Sequence, residues 1–229
     1  MHAASRSPFT YLYSLCGQVL SSVPEARYLG IMVTDELSWS SNVQSIYSKA
    51  NSTLGFLRRN LRRCPAKLKE SAYISLVRST LEYATSVWDP HLAKDIKLEN
   101  IQRRSARFVK GDYRTTFSVT QMLQELGWQD LHSRRRDLRL ALLYKLVMGN
   151  VGIQPEHGGL VAADDRTRAK HQFKFCAVGS STQAFHHSFA VQTIGDWRAS
   201  SLPSHVVEQS TAASFKVKLS RLTSAAYAP

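Results

Sequence analysis

The 229-residue sequence predicts a mainly α chain: a small N-terminal β-hairpin or strand element, a helical bundle, and a mixed, loop-rich C-terminal tail with short helices. Three observations predict it. From residue 41 to 149 apolar side chains recur every three or four positions, with breaks at Cys64-Pro65 and Asp89-Pro90. Ahead of that stretch Phe9, Tyr11, Tyr13 and Leu15 alternate with smaller or polar residues, the period of two of a strand. Beyond Gly149 the chain turns to Gly, Ala, Asp and Ser, which favour loops. The expected divisions are strands over 8–34, a bundle over 41–110, a second helical segment over 112–149 and a tail over 150–229.

In the first division Gly17 supplies a turn, Val19 and Leu20 a second short strand, and Pro24 a break. A third strand is expected over 28–33. Gly30 within it implies a bulge or a close approach by another group, and a plain three-stranded meander fits equally well. Helical periodicity then starts after Trp39, with Ser40 or Ser41 as cap and Val43, Ile46, Ala50, Leu54, Leu57 and Leu61 as the apolar stripe. Pro65 ends this helix and suits the first turn of the next, whose expected buried stripe is Leu68, Ala72, Leu76, Leu81, Ala84 and Trp88. Leu92, Ile96, Ile101 and Phe108 mark a third helix, and Gly111 is placed to stop it. Ser118 and Gln121 form a capping box for a short helix ending at Gly127-Trp128. A longer helix is expected over 130–148, then one short strand over 173–178 and a last amphipathic helix carrying Phe215, Leu219 and Leu222.

Charge narrows the function. The chain carries 30 Lys and Arg against 17 Asp and Glu, a net of +13. Residues 49–110 alone hold a net of +9, whereas residues 1–48 hold −1. A basic face concentrates polyanions and speeds their encounter, so an anionic partner is expected. Charge by itself does not choose between nucleic acid, an anionic membrane and an acidic protein. No run approaches the roughly 18 apolar residues of a membrane span, and no apolar leader follows Met1, so the chain reads as soluble and intracellular, without a membrane partner. Cys16, Cys64 and Cys176 are odd in number and far apart, which reads as free thiols rather than a disulfide or zinc framework.

The candidate binding residues are two basic clusters. Arg58, Arg59, Arg62 and Arg63 close the first bundle helix, with Lys67 and Lys69 opening the second; Arg103, Arg104, Arg107 and Lys110 repeat the arrangement on the third. Cations favour the C-terminal turn of a helix, which accounts for Arg62 and Arg63 without any ligand. Two clusters with so few compensating acids point instead to phosphate contact. Trp39, Trp88, Trp128 and Trp197 fit buried packing better than base stacking. His186-His187 lacks an HExxH frame or a nearby Cys and reads as a surface pair, and no GxSxG frame occurs. No catalytic residue, metal site or cofactor is expected.

An ordered string of short motifs then becomes informative. Ala26-Arg27-Tyr28-Leu29-Gly30, Leu37-Ser38-Trp39, Leu54-Gly55-Phe56-Leu57-Arg58-Arg59-Asn60-Leu61, Leu81-Glu82-Tyr83-Ala84, Val87-Trp88-Asp89-Pro90, Gln102-Arg103-Arg104 and Leu126-Gly127-Trp128 follow one another, with a thinner continuation through Asp196-Trp197 and Leu202-Pro203. Together they resemble the non-LTR (LINE-type) retrotransposon reverse transcriptases, most closely the CR1- and jockey-related branches, over nearly the whole chain. The resemblance implies that Tyr28, Leu29 and Gly30 correspond to a strand near the primer grip. It implies that residues 41–110 correspond to the thumb, a helical bundle that holds the template–primer duplex.

The same resemblance implies what is lacking. The family's metal-binding aspartates lie in an aromatic-x-Asp-Asp box upstream of the Tyr-Leu-Gly strand, and the two metals they hold stabilise phosphoryl transfer. No such box precedes Tyr28 here. Ala162-Ala163-Asp164-Asp165 echoes its end, but downstream, with Ala for the aromatic and in a loop-like stretch, where paired acids read as a solvated turn. The expectation is therefore a truncated retrotransposon product that grips RNA–DNA hybrid or duplex without RNA-directed DNA polymerase activity of its own. The alternatives are a protein-interaction module, with an intact reverse transcriptase among its partners, and a non-functional relic of a transposable element.

Overall fold

The structure, a computed structural model, describes residues 12–88, 95–114, 116–153, 160–161, 173, 175–199 and 202–226. It is mainly helical, with small antiparallel β elements at its N-terminal end. The expected strand residues Phe9 and Tyr11, the break at Asp89-Pro90, the apolar Leu92 and the Asp164-Asp165 pair lie outside the described residues.

Two separate hairpins replace the expected meander. Strands β1 (Ser14–Leu15) and β2 (Gln18–Val19) pair antiparallel, as do β3 (Glu25–Tyr28) and β4 (Ile31–Thr34). Each hairpin closes through two residues of positive φ, Cys16-Gly17 and Leu29-Gly30, the primed turn whose twist matches that of paired strands. Tyr28, Leu29 and Gly30 therefore do not form one strand: Tyr28 ends β3 and the other two make the turn. The expected close approach to Gly30 is present, because the Tyr83 ring lies 3.5 Å from where a Cβ would sit. The Tyr83 hydroxyl donates to the Leu29 carbonyl at 2.8 Å.

Helix α1 (Ser40–Asn60) buries Val43, Ala50, Leu54 and Leu57, as its spacing predicts. Its cap position falls on Trp39, which supplies no capping oxygen, so Ser40 and Ser41 lie inside the first turn rather than before it. The helix stops at Asn60, before Pro65 forces a break. Pro65 in turn occupies the cap position of α2 (Ala66–Ala72), and its carbonyl accepts from the Leu68 and Lys69 amides.

The second bundle helix differs most from expectation. From α2 the chain continues through a π-helical segment (Tyr73–Arg78) into α3 (Ser79–Glu82), with helical dihedrals at both junctions. Tyr73, Val77 and Leu81 are fully buried, whereas Leu68 and Leu76, expected inside, are half exposed. A looser winding adds a residue to the turn, so from Tyr73 on the buried stripe moves one residue C-terminal of Ala72 and Leu76, while α2 itself buries no residue fully. Tyr73 stacks on Trp128 with centroids 4.3 Å apart.

Helix α4 (Asp95–Lys110) returns against α1 and α2, burying Leu98, Ile101, Ala106, Phe108 and Val109. Gly111 ends it with φ near +68°. Short helix α5 (Val119–Glu125) has half of the expected capping box: Ser118 accepts from the Gln121 amide, but the Gln121 side chain donates to Glu125 instead of returning to the cap. Helix α6 (Leu131–Val147) starts at Asp130, whose carboxylate accepts from the Ser133 amide. Glu99 adds a second acceptor there, for the Leu131 and His132 amides at 2.8 and 3.2 Å. Burial, and secondarily Asp130 beside it, pushes the Glu99 carboxyl above the ordinary range. Its ionisation therefore opposes folding as pH rises through its titration.

Two cores result. The first runs from Ile31 to Leu131 and takes in Met122 and Trp128, beyond the 41–110 bundle. The second gathers Leu140, Leu143 and Tyr144 of α6 against α8 (Phe189–Ala199), α9 (Ser204–Val207) and α10 (Ala212–Ala226); a short α7 (Gln183–His186) precedes them. Tyr144 stacks on Phe215 at 4.4 Å, and Arg139 pairs with Asp196 at 2.8 Å. Among the described residues of the expected strand over 173–178, Phe175 alone is in a bridge, next to the Cys176 amide that donates to the Val161 carbonyl. Among the described residues no helix is long and apolar enough to cross a membrane.

The register of the second bundle helix is open to test. Val77→Ala is expected to destabilise the fold by roughly 1–3 kcal/mol through lost burial and a residual cavity. Leu76→Ala is expected to change it by less than about 0.5 kcal/mol. Chemical denaturation of the two variants checks this, and equal losses would return Leu76 to the core.

Candidate nucleic-acid interface

The basic residues are placed by the packing of three helices. Helix α1 ends in Arg58 and Arg59, and the turn after it carries Arg62 and Arg63 before Pro65 starts α2. Lys69 is held over the Phe108 ring, 5.5 Å from its centroid, so α2 and α4 meet beside the end of α1. An open groove of about 870 Å³ forms there, lined by Gly55, Arg58, Arg59, Arg62, Lys69, Phe108, Gly111 and Tyr113. No lining residue is acidic, and none of the four cations is ion-paired among the described residues.

The far wall is a short turn fixed by polar contacts. After Gly111 swings the chain out of α4, the Arg107 guanidinium donates to the carbonyls of Tyr113 and Arg114 at 3.2 and 3.4 Å. Asp112 accepts from the Arg114 amide at 2.9 Å and pairs with the Arg114 side chain at 2.7 Å. Those hydrogen bonds hold the Asp112 carboxyl down at about 2. The Tyr113 ring faces Arg58, whose guanidinium carbon lies 5.3 Å from its centroid. Arg114 covers Phe117 at 4.5 Å. A ring under a guanidinium offsets part of the repulsion among crowded cations, by about 0.5–1 kcal/mol at an exposed site.

The candidate residues separate into three groups. Arg58, Arg59, Arg62 and Lys69 converge on the groove. Arg104, Arg107 and Lys110 stand on the adjoining helix but are engaged: Arg104 with Asn51 at 3.1 Å, Arg107 with the turn, Lys110 with Glu125 at 2.7 Å. Arg63, Lys67 and Arg103 are exposed and do not line the groove. Tyr28, Leu29 and Gly30 are not part of it either; Leu29 and Gly30 lie against Tyr83, beyond the far end of the second bundle helix. Tyr113 and the Phe108 face were missed in the sequence. Nothing local shows that a Tyr two residues past a helix-stopping Gly comes back over Arg58.

Other chemistry is sparse. His186 and His187 lie edge to face at 5.0 Å; His186 shares a hydrogen bond with the Ser180 hydroxyl, and His187 Nδ1 accepts from the Gln192 side-chain amide. Among the described residues no three His, Cys, Asp or Glu side chains converge as a metal site would require. Trp88, Trp128 and Trp197 are buried, and Trp39 packs against the first core. What the groove offers is a set of guanidinium forks and one ammonium for phosphate or carboxylate oxygens. Comparison with protein-family models, with curated proteins and with solved structures gave no match.

The turn's electrostatics predict a titration. A depressed carboxyl pKa means that the Asp112–Arg114 interaction supports the turn above pH 4 and is lost as pH falls towards 2. Carboxyl-carbon NMR should give Asp112 a midpoint near 2, and Arg114→Ala should return it towards the ordinary value of about 3.9.

Proposed function

We propose that this chain is a nucleic-acid-binding fragment of a non-LTR reverse transcriptase, a thumb that grips template–primer without the aspartates of polymerisation. The observation that carries the reading is the groove, where Arg58, Arg59, Arg62 and Lys69 meet without an acid among its lining. Four cations on two helices and the turn between them suit a polyphosphate backbone better than a single carboxylate. Contacts to phosphate carry no base information, so binding is sequence-tolerant and accepts RNA–DNA hybrid or duplex. The string of motifs from Tyr28-Leu29-Gly30 to Leu126-Gly127-Trp128 supports the same assignment. Alone, the chain has no polymerase activity on this reading.

A second reading is favoured by one observation. The β1–β2 hairpin and its flanks expose Leu12, Tyr13, Leu15, Val19, Leu20 and Val23, and residues 12–24 carry no charge. Apolar surface of that kind marks protein contact sites. Here the partner is the catalytic body of an intact reverse transcriptase, which the fragment joins through its hairpin. Co-sedimentation with such an enzyme, lost in a Leu15→Glu/Val19→Glu variant, supports it, and failure to associate with the wild-type chain removes it.

Fluorescence anisotropy with labelled RNA–DNA hybrid tests the first reading. Affinity is expected to fall steeply with salt, and Arg58→Ala/Arg59→Ala/Arg62→Ala should lower the log–log slope by roughly 0.7–0.9 for each phosphate contact removed. Because the three side chains are exposed, the thermal transition should move little. Absence of binding at low salt rejects the reading.

A further inference from the structure

Phosphate neutralisation needs only cations, yet the groove also presents an aromatic ring. Tyr113 lines it with 51% of its surface exposed. Its backbone is anchored twice, by Arg107 to its own carbonyl and by the Asp112–Arg114 pair that flanks it. The backbone that carries the ring is therefore held in place before any ligand arrives. The other aromatics nearby do not offer the same surface. Phe108 is 2% exposed, and Phe117 lies outside the groove lining.

A half-exposed ring among guanidinium groups is the combination that holds unpaired nucleotides: bases stack on the ring while cations follow the backbone. Bases inside a duplex are already stacked on each other and cannot reach such a platform without unpairing. The groove volume of about 870 Å³ falls in the range of clefts that enclose small organic ligands. We propose that the groove takes an unpaired nucleotide, its base stacked on Tyr113 and its flanking phosphates held by Arg58, Arg59 and Arg62. The chain then prefers a strand end or overhang to blunt duplex. This rests on the nucleic-acid reading of the same groove and adds to it which part of the substrate enters.

The test uses the full chain with three ligands: a blunt RNA–DNA hybrid, the same hybrid with a single-stranded overhang carrying 2-aminopurine, and the overhang strand alone. Wild type should bind the two ligands with unpaired bases more tightly than the blunt hybrid and quench 2-aminopurine. Tyr113→Ala should lose roughly five- to a hundredfold in affinity for the overhang ligand, abolish the quench and keep the salt slope on blunt hybrid. Tyr113→Phe should keep both affinity and quench, and an unchanged thermal transition shows that each variant folds. Equal wild-type affinity for blunt and overhang ligands, or a quench that survives Tyr113→Ala, overturns the inference alone. No binding of any ligand at low salt overturns the nucleic-acid reading as well.

Discussion

Helix α1 buries Val43, Ala50, Leu54 and Leu57 against the π-helical segment, α3 and α4, and the chain's basic residues take their positions from that burial. Turning one face of a helix inward fixes where the other points, so Arg58 and Arg59 are committed once Leu54 and Leu57 are packed. Lys69 and the α4 terminus are fixed in the same way by Tyr73 and Phe108. The opposing effect is repulsion among cations, which for exposed charges some 5 Å apart in water is on the order of 1 kcal/mol per pair. Each fully buried Leu contributes about 1.5–3 kcal/mol. Packing wins, and the cations converge because the core brings them together rather than because they attract one another.

The two cores meet along α6, and there the balance is electrostatic. Leu131 belongs to the first core and Leu140 to the second, so one helix serves both. Polar contacts fasten the start of α6 and the residues before it to the helices of the first core: Arg134 pairs with Glu82, Gln102 donates to the Gln129 carbonyl at 2.9 Å, and Trp128 donates to Glu70 at 3.0 Å. The Glu82 carboxylate raises the Arg134 guanidinium further above its already high value, outweighing burial. Arg78, beside the same group, is pulled down by burial and by Arg134. Removing one member of such a set leaves a partly buried charge without its partner, which is more costly than the pair itself is favourable.

Helix positions in α4, α5 and α6 were legible because their apolar period and glycine stops agree with each other, and that of α1 from its apolar period alone. Gly111, Gly127 and Gly149 all have positive φ and all end helices. Leu76 lies outside the core because the apolar period assumes one winding and the π-helical stretch from Tyr73 changes it locally, whereas Leu68 precedes that stretch, in a short helix that buries no residue fully. The third strand was misread because Leu29 and Gly30 look extended by composition, whereas their φ angles turn the chain back. In the groove, charge patterning found Arg58, Arg59, Arg62 and Lys69 but could not separate them from Arg63, Lys67 and Arg103. Which of two neighbouring arginines faces a groove depends on a turn geometry that residue type does not encode. Tyr113 was invisible for the stronger reason that its relation to Arg58 spans 55 residues and depends on the packing of α4.

The two cores are also contiguous in the chain: the first is complete at Leu131 and the second begins at Leu140. Domains generally fold as units during synthesis, N-terminal ones first. As the polypeptide leaves the ribosome, the first core can therefore close, with its basic groove assembled, while α8 to α10 have yet to be made. The α6 helix then emerges already anchored at its N-terminal end, and its remaining turns become the template on which the last three helices condense. A ribosome stalled within the tail would thus display a finished groove on an unfinished protein.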